Sequence, residues 1–323
     1  MRRRPPAASA AHVHRLEYQQ RVNRVVDHIH RHLGDPLTLP ALARVAAFSP
    51  YHFHRVFGAI AGETLFGFVQ RLRLERAAAV LRDGGDQSVL VVALDHGFGS
   101  AATFARAFRA RFGMSATEWR AGGAARWARR RRPVSNPGKQ VRKAGKAARR
   151  GGGHTAGRGT RKEAPLPIEL RELPPHQVAY MRYVGPYGSA AIPALWTRLM
   201  RWMGTRDLHV ADTIRLGLGY DDPTITASDQ CRYDACVVVP HDFAPDRWVT
   251  LGEVAGGKHA VARFTGGPDE IAPAWEQVFR AWLPGSGYQP DDKPGIEVYR
   301  GDPTVPGRRG QFRCDLCLPV RPL

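Results

Sequence analysis

The chain is poor in cysteine: Cys231, Cys236, Cys314 and Cys317 are its only four in 323 residues, too few for a disulfide framework and in keeping with a reduced compartment. No apolar run approaches the roughly eighteen residues that a membrane span requires. Residues 1–11 carry arginines but no apolar stretch of the secretory kind. A cytoplasmic protein with no membrane partner is therefore expected. No Ser/His/Asp or Cys/His constellation stands out, so no enzyme is expected. Cys314-x-x-Cys317 invites a zinc or redox reading, but no second such pair follows. Its surroundings, Phe312 to Val320, read as a strand, in which positions three apart face opposite sides. Neither a metal nor a cofactor is expected.

Acidic residues are also missing, but only locally. The net charge of +19 is divided unevenly: residues 1–163 carry 31 Lys/Arg against 10 Asp/Glu, and residues 164–323 carry 17 against 19. From Arg126 to Lys162 there are fourteen basic residues and no acidic one, and hardly a large apolar residue after Trp127. Such a stretch buries too little surface to offset chain entropy and reads as a basic, disordered linker over 123–163. It can attract phosphate without reading sequence, or serve only as a solvated spacer.

What is present is clearest between Ala93 and Arg120. Phe104, Phe108 and Phe112 recur at i, i+4 and i+8, a buried helical stripe, while Ala102, Arg106 and Arg109 project oppositely with Thr103 at the flank. Ser100 caps the start, Gly113 the end, and Ser115 opens a short last helix. A shift of fifty-one residues maps this pattern onto Ser49, Phe53, Arg55, Phe57 and Gly62, with Pro50 at the first helical position, Tyr51 and Arg55 outward, and His52 and His54 at the edges. A long helix, Leu65 to Arg82, separates the copies. Two helix-turn-helix units held apart by one rigid helix can enter successive major-groove segments of double-stranded DNA about 34 Å apart.

These residues resemble the DNA-binding domain of the AraC/XylS transcription regulators over 15–122. The likeness rests on Gly97-Phe98-x-Ser100, Phe104-x-Arg106-x-Phe108, Phe112-Gly113 and Trp119-Arg120. One departure is Ala116, where the family usually carries proline. The resemblance implies an all-α double helix-turn-helix domain that reads DNA through Tyr51, His54, Arg55, Ala102, Thr103 and Arg106, with RNA polymerase as a further partner.

The second half, 164–323, contains its own duplication. Ile192-Pro-Ala-Leu-Trp196 recurs as Ile271-Ala-Pro-Ala-Trp275, Asp222-Pro-Thr-Ile225 as Asp302-Pro-Thr-Val305, and Asp234-Ala-Cys236 as Asp315-Leu-Cys317. Each copy reads strand, helix, strand, strand: Val178–Val184, Ile192–Met203, Ile214–Tyr220 and Asp234–Val239, then His259–Thr265, Ile271–Leu283, Ile296–Arg300 and Phe312–Pro319. Two such copies are expected to pack as one α+β domain with a central cleft. Under an eighty-residue shift, Glu297 falls on Gly217 and Tyr299 on Gly219, so one copy supplies bare backbone where the other supplies a carboxylate and a phenol.

This half resembles the GyrI-like effector-binding domain through Val184-Gly185-Pro186-Tyr187, Gly219-Tyr220-Asp221-Asp222-Pro223, Arg232-Tyr233-Asp234-Ala235-Cys236 and Glu297-x-Tyr299. The resemblance implies a cleft for hydrophobic, often cationic, small molecules, with a glutamate at its floor. Glu297, Tyr299, Trp275, Trp282, Tyr183, Phe264, Gly217 and Gly219 are the candidate ligand residues, with Trp196 as a further wall. Trp196 and Trp275 sit at helical spacing from apolar neighbours and suit a core equally well, and Glu297 also suits an exposed strand position. The whole chain thus reads as a ligand-responsive, sequence-specific transcription regulator. The alternative is a protein that sequesters or hydrolyses small molecules in detoxification, with Glu297 as general base and Tyr299 as donor.

Overall fold

The computed structural model describes residues 10–83, 87–131, 166–208, 213–304 and 311–323. The first half is helical: α1 (Ala10–Arg31), α2 (Leu39–Val45), α3 (Pro50–Ala61), α4 (Leu65–Asp83), α5 (Val89–Asp95), α6 (Ala101–Phe112), α7 (Ala116–Glu118) and α8 (Ala124–Arg131). Helices α2–α3 and α5–α6 are the two expected helix-turn-helix pairs, with α4 between them. Ser49 and Ser100 accept hydrogen bonds from the backbone N–H of His52 and Thr103, satisfying donors the first helical turn leaves unpaired. Gly62 and Gly113 end α3 and α6 at φ of 75° and 70°, a conformation that would strain a residue bearing a Cβ. Although Ala116 replaces a helix-starting proline, α7 still begins cleanly, because Ser115 and Glu118 form a reciprocal capping box.

Each pair closes its own core. Phe53 and Phe57 pack with Val25, Ile29, Leu42 and Leu72, while Phe104, Phe108 and Phe112 pack with Leu74, Ala78, Val92 and Trp119. Fully burying such a ring stabilises by about 1.5–3 kcal/mol. Trp119 also donates its indole N–H to the Ala78 carbonyl at 2.8 Å, tying the end of the domain to α4.

One boundary differs from expectation. Residues 124–131 form α8, and Trp127 packs edge-on against Phe112 at 5.3 Å and against Trp119 at 6.1 Å. A single indole on the aromatic cluster is enough to order the first residues of the segment read as linker. The remainder of that segment, 132–165, lies outside the described residues.

The second half is an antiparallel sheet of β1 (Ile168–Leu173), β2 (His176–Val184), β3 (Arg215–Gly219), β4 (Arg232–Val238), β5 (Thr250–Val254), β6 (Gly257–Gly266), β7 (Tyr288–Pro290), β8 (Gly295–Tyr299) and β9 (Phe312–Pro322). Strand order is β1-β6-β9-β8-β3-β4-β2-β5, with β7 paired to β9. The expected strands and both helices, α9 (Ala191–Gly204) and α10 (Ile271–Gln277), are present, and α10 runs on as a π-helical turn, 278–282. Short β1, β5 and β7 were not among them. The order is the same read outward from the β3–β8 seam in either direction, so the repeats form a pseudo-two-fold. In that seam Leu216 faces Val298, Gly217 faces Glu297 and Leu218 faces Ile296, so Gly217 and Glu297, eighty apart in sequence, are direct neighbours at the dyad.

Helices α9 and α10 cover one face of the sheet, where Leu195, Trp196, Leu199 and Val278 pack on Tyr233, Ala235, Phe264 and Tyr299. The other face carries Tyr180, Leu216, Leu218, Ile296 and Cys317, and part of it meets α1 and α4. Cys314 belongs to the helix-side core and Cys317 to the opposite one, so their thiols cannot share an ion.

Candidate functional site

The outward faces of α3 and α6 carry the residues expected to meet DNA. His54 and Arg55 are exposed on α3, and Ala102, Thr103 and Arg106 on α6, all opposite the buried Phe stripes. Arg106 donates to Thr103 Oγ at 3.5 Å, and Ser100 Oγ donates to the same hydroxyl at 3.1 Å. Tyr51 lies in α3, but its side chain is outside those described.

The second candidate site is built on the dyad, under the two helices. Strand alternation places Gly217, Glu297 and Tyr299 on the helix-covered face. Glu297 is only 9% exposed, so the reading of an exposed strand residue does not hold. One carboxylate oxygen accepts from Tyr233 Oη at 2.8 Å and Tyr299 Oη at 2.9 Å; the other accepts from the Trp275 indole N–H at 3.2 Å. Trp196 donates to Tyr233 Oη at 3.2 Å and meets the Tyr299 ring edge-on at 5.2 Å. A carboxylate floor is thus walled by four aromatic side chains, all from α9, α10, β4 and β8.

Gly217 makes this geometry feasible. A Cβ there would lie 2.1 Å from Tyr233 Oη and 2.7 Å from Glu297 Oε2. The missing side chain is the space through which Tyr233 reaches across β3 to Glu297. At Gly219, one pleat along, a Cβ would lie 3.7 Å from the Tyr187 hydroxyl, and at cross-strand Gly295 it would meet Trp275.

Burial pushes the Glu297 carboxyl above its ordinary range, and the hydrogen bonds from Tyr233, Trp275 and Tyr299 only partly oppose that. The hydroxyls of Tyr233 and Tyr299 are pushed well up, first by burial and then by the neighbouring carboxylate. Among the described residues no Lys or Arg ion-pairs with Glu297.

Of the expected ligand residues, Glu297, Tyr299, Trp275 and Gly217 come together, with Gly219 adjacent. Trp282 instead stacks on Tyr288 and lines a separate cavity of about 180 Å³ with Leu166, Ile168 and Ala281. The Tyr183 hydroxyl pairs with Ser189 Oγ at 3.0 Å rather than with the carboxylate. Phe264 packs on Phe312, which in turn touches Tyr299, so it supports the wall from behind. Sequence reasoning missed Tyr233. The signal available was its place between Arg232 and Asp234: two charges flanking a tyrosine in a strand put the phenol on the opposite face from both.

The family model of the GyrI-like small molecule binding domain matches residues 166–321, and that of a helix-turn-helix domain matches residues 42–122. The SPbeta prophage protein YosT of Bacillus subtilis is 32% identical over 160 residues, which cover 48% of this chain and 100% of YosT. The regulatory protein SoxS of Salmonella typhimurium is 28% identical over 105 residues, 32% of this chain and 97% of SoxS. Among solved structures, the DNA-binding domain of AdpA in complex with a target DNA is 29% identical with a TM-score of 0.31, covering 33% of this chain and 96% of that one. The chain belongs to the GyrI-like family and is a transcription regulator, with an AraC-type helix-turn-helix DNA-binding domain ahead of a GyrI-like small-molecule-binding domain.

Proposed function

We propose that the site above Glu297 binds a hydrophobic organic cation, and that its occupancy alters how α3 and α6 engage the major groove. The observation that carries this is a buried carboxylate with three neutral donors and, among the described residues, no cationic partner. Such a group is costly to leave ionised until a cation arrives to offset its lost hydration. The surrounding rings add about 0.5–2 kcal/mol per well-placed face in cation–π attraction. Trp275, partly buried and held by one hydrogen bond, is the wall that yields to an incoming ligand.

DNA is read by Tyr51, His54, Arg55, Ala102, Thr103 and Arg106, and the regulator acts with RNA polymerase in the cytoplasm, at the nucleoid. The DNA-reading unit is 15–122 extended by α8, and the effector unit is 164–323 with a basic tether between them. The site binds and releases its ligand rather than turning it over. Tetraphenylphosphonium, with neutral triphenylphosphine oxide as comparison, tests the binding claim by calorimetry on the full chain. Glu297→Gln is expected to weaken the cation by about ten-fold or more, the size of a lost charged contact, and the neutral compound far less. Equal affinity of the parent and Glu297→Gln for the cation contradicts the assignment. Mass spectrometry after incubation decides between binding and hydrolysis: the ligand is expected to return unchanged.

A further inference from the structure

The segment Tyr220 to Thr226 leaves the effector site and ends inside the DNA-binding half. At its start, Asp221 N–H donates to Tyr187 Oη at 3.1 Å, and Tyr187 Oη donates to the Arg232 carbonyl at 2.7 Å. Tyr187 also packs edge-on against Tyr233, the tyrosine that holds Glu297, at 6.5 Å. The Asp221 carboxylate accepts from the Arg232 backbone N–H and guanidinium, both at 2.8 Å. The front of the segment is therefore fixed to the ring and strand that form the ligand site.

Its far end is a tight turn. Asp222 Oδ1 accepts from Thr224 N and Oγ at 2.7 and 2.6 Å, and the Asp222 carbonyl accepts from Ile225 N and Thr226 N at 3.0 and 2.8 Å. The turn is pinned to α4 by an Asp222–Arg82 ion pair, and Arg82 also donates to Thr224 Oγ at 3.2 Å. Ile225, 1% exposed, enters the core that holds Phe104, Phe108 and Phe112. Thr226 Oγ donates to Glu75 Oε2 at 2.9 Å.

Glu75 is no ordinary helix residue. Its other oxygen accepts from Arg111 of α6 at 2.6 Å, and Oε2 also accepts from Arg71, which binds Glu63 just past the end of α3. One buried carboxylate on α4 thus joins the far ends of both DNA-facing helices, and the effector half supplies one of its three hydrogen bonds. A cavity of about 140 Å³, lined in part by His30, Glu75, Tyr220, Asp221, Thr226 and Arg232, lies beside the turn and leaves it room to shift.

We infer that residues 220–226 are the transmission element of this regulator: ligand-driven movement of Tyr233 and Tyr187 shifts the turn, withdraws or re-aims Thr226 at Glu75, and changes the spacing of α3 and α6. This rests on the ligand site proposed at Glu297. No covalent step is involved; the coupling is a difference in hydrogen bonding and packing between two arrangements of one turn. The second copy of the turn, Asp302-Pro303-Thr304, repeats the two Asp–Thr bonds, with Thr304 N and Oγ on Asp302 Oδ1 at 2.7 and 2.6 Å. The turn itself is thus a property of the repeat; its insertion beside Glu75 is what the first copy adds.

The test uses full-length chain, tetraphenylphosphonium and a DNA site selected from random sequence by the same chain. The parent is expected to change DNA affinity at saturating probe by about five-fold or more, whereas Thr226→Val and Arg82→Gln bind probe normally yet respond within about two-fold. Full responses in both variants overturn the inference. If the parent does not bind the probe, the ligand reading fails separately, and the turn is judged without ligand. Thr226→Val and Arg82→Gln should then still change DNA affinity and speed amide exchange in α4 and α6. No change in either measurement overturns it. Arg82→Gln serves as the second variant should Thr226→Val lower stability.

Discussion

Gly217 and Glu297 are cross-strand partners on a pseudo-two-fold, bare backbone on one side of the axis and a carboxylate on the other. Gly217→Ala is expected to cost about 1–3 kcal/mol, because the new methyl displaces Tyr233 Oη and leaves buried polar groups unpaired. Unaltered denaturant stability would contradict the packing described. On the proposed reading, Glu297 also makes ligand binding pH-dependent. Its carboxyl is raised in the folded chain, chiefly by burial, so the folded state holds the proton more tightly than the unfolded state. That linkage favours folding below the unfolded-state value and is lost as pH rises through the raised folded-state value. Affinity for a cation runs the other way, climbing through the same interval as the carboxylate forms. Calorimetry from acid to neutral pH should show that climb in the parent and a flat profile in Glu297→Gln. On the DNA side, Arg55→Ala and Arg106→Ala should each lose about 1–3 kcal/mol of specific binding at fixed salt. Both arginines are exposed, so melting temperature should hold. Glu297 was legible in the sequence because a repeat supplies its own internal comparison. Trp282, Tyr183 and Phe264 do not touch the carboxylate, because aromatic character says nothing about which pleat or helical turn a ring occupies.

At the level of elements, periodicity and end signals carried most of the fold. The serine caps, the Phe stripes and the two glycine stops gave α3 and α6 their places. Ser49→Ala and Ser100→Ala are expected to cost about 1 kcal/mol each by urea denaturation, close to additive because the helices lie in separate cores. A loss confined to one of the two would contradict the equivalence of the repeats. Strands β1 and β5 escaped notice for a physical reason. Ile168-Glu-Leu-Arg-Glu-Leu173 and Thr250-Leu-Gly-Glu-Val254 are short, half-polar edge strands, and each pairs with a strand of the other repeat: β1 with β6, β5 with β2. Local pattern does not encode such an exchange. Helix α8 was hidden for a similar reason, since the non-local docking of Trp127, rather than composition, orders it.

For the whole molecule, the two halves were legible separately but their contact was not. Asp27 joins Tyr180 and Arg182 at 2.6 and 2.8 Å, and partly buried His30 sits between Tyr220 and Arg232. Burial first and then Arg232 hold that imidazole well below its usual pKa, so it is neutral in the interface. These pairings join residues some 150 to 200 positions apart and leave no periodic trace. The charge asymmetry between the halves was plain from the sequence. Removing residues 139–162 should weaken binding to all DNA sequences alike and flatten the salt dependence, because phosphate contacts carry no base information. An unchanged salt slope would reduce that segment to a spacer. The central claim is that one carboxylate-floored site controls DNA affinity in this chain. Its most direct test is the DNA dissociation constant of the full-length protein at fixed salt, with and without saturating tetraphenylphosphonium, in the parent and in Glu297→Gln. A shift of about five-fold or more is expected in the parent and none in the variant. Equal shifts in both would contradict it.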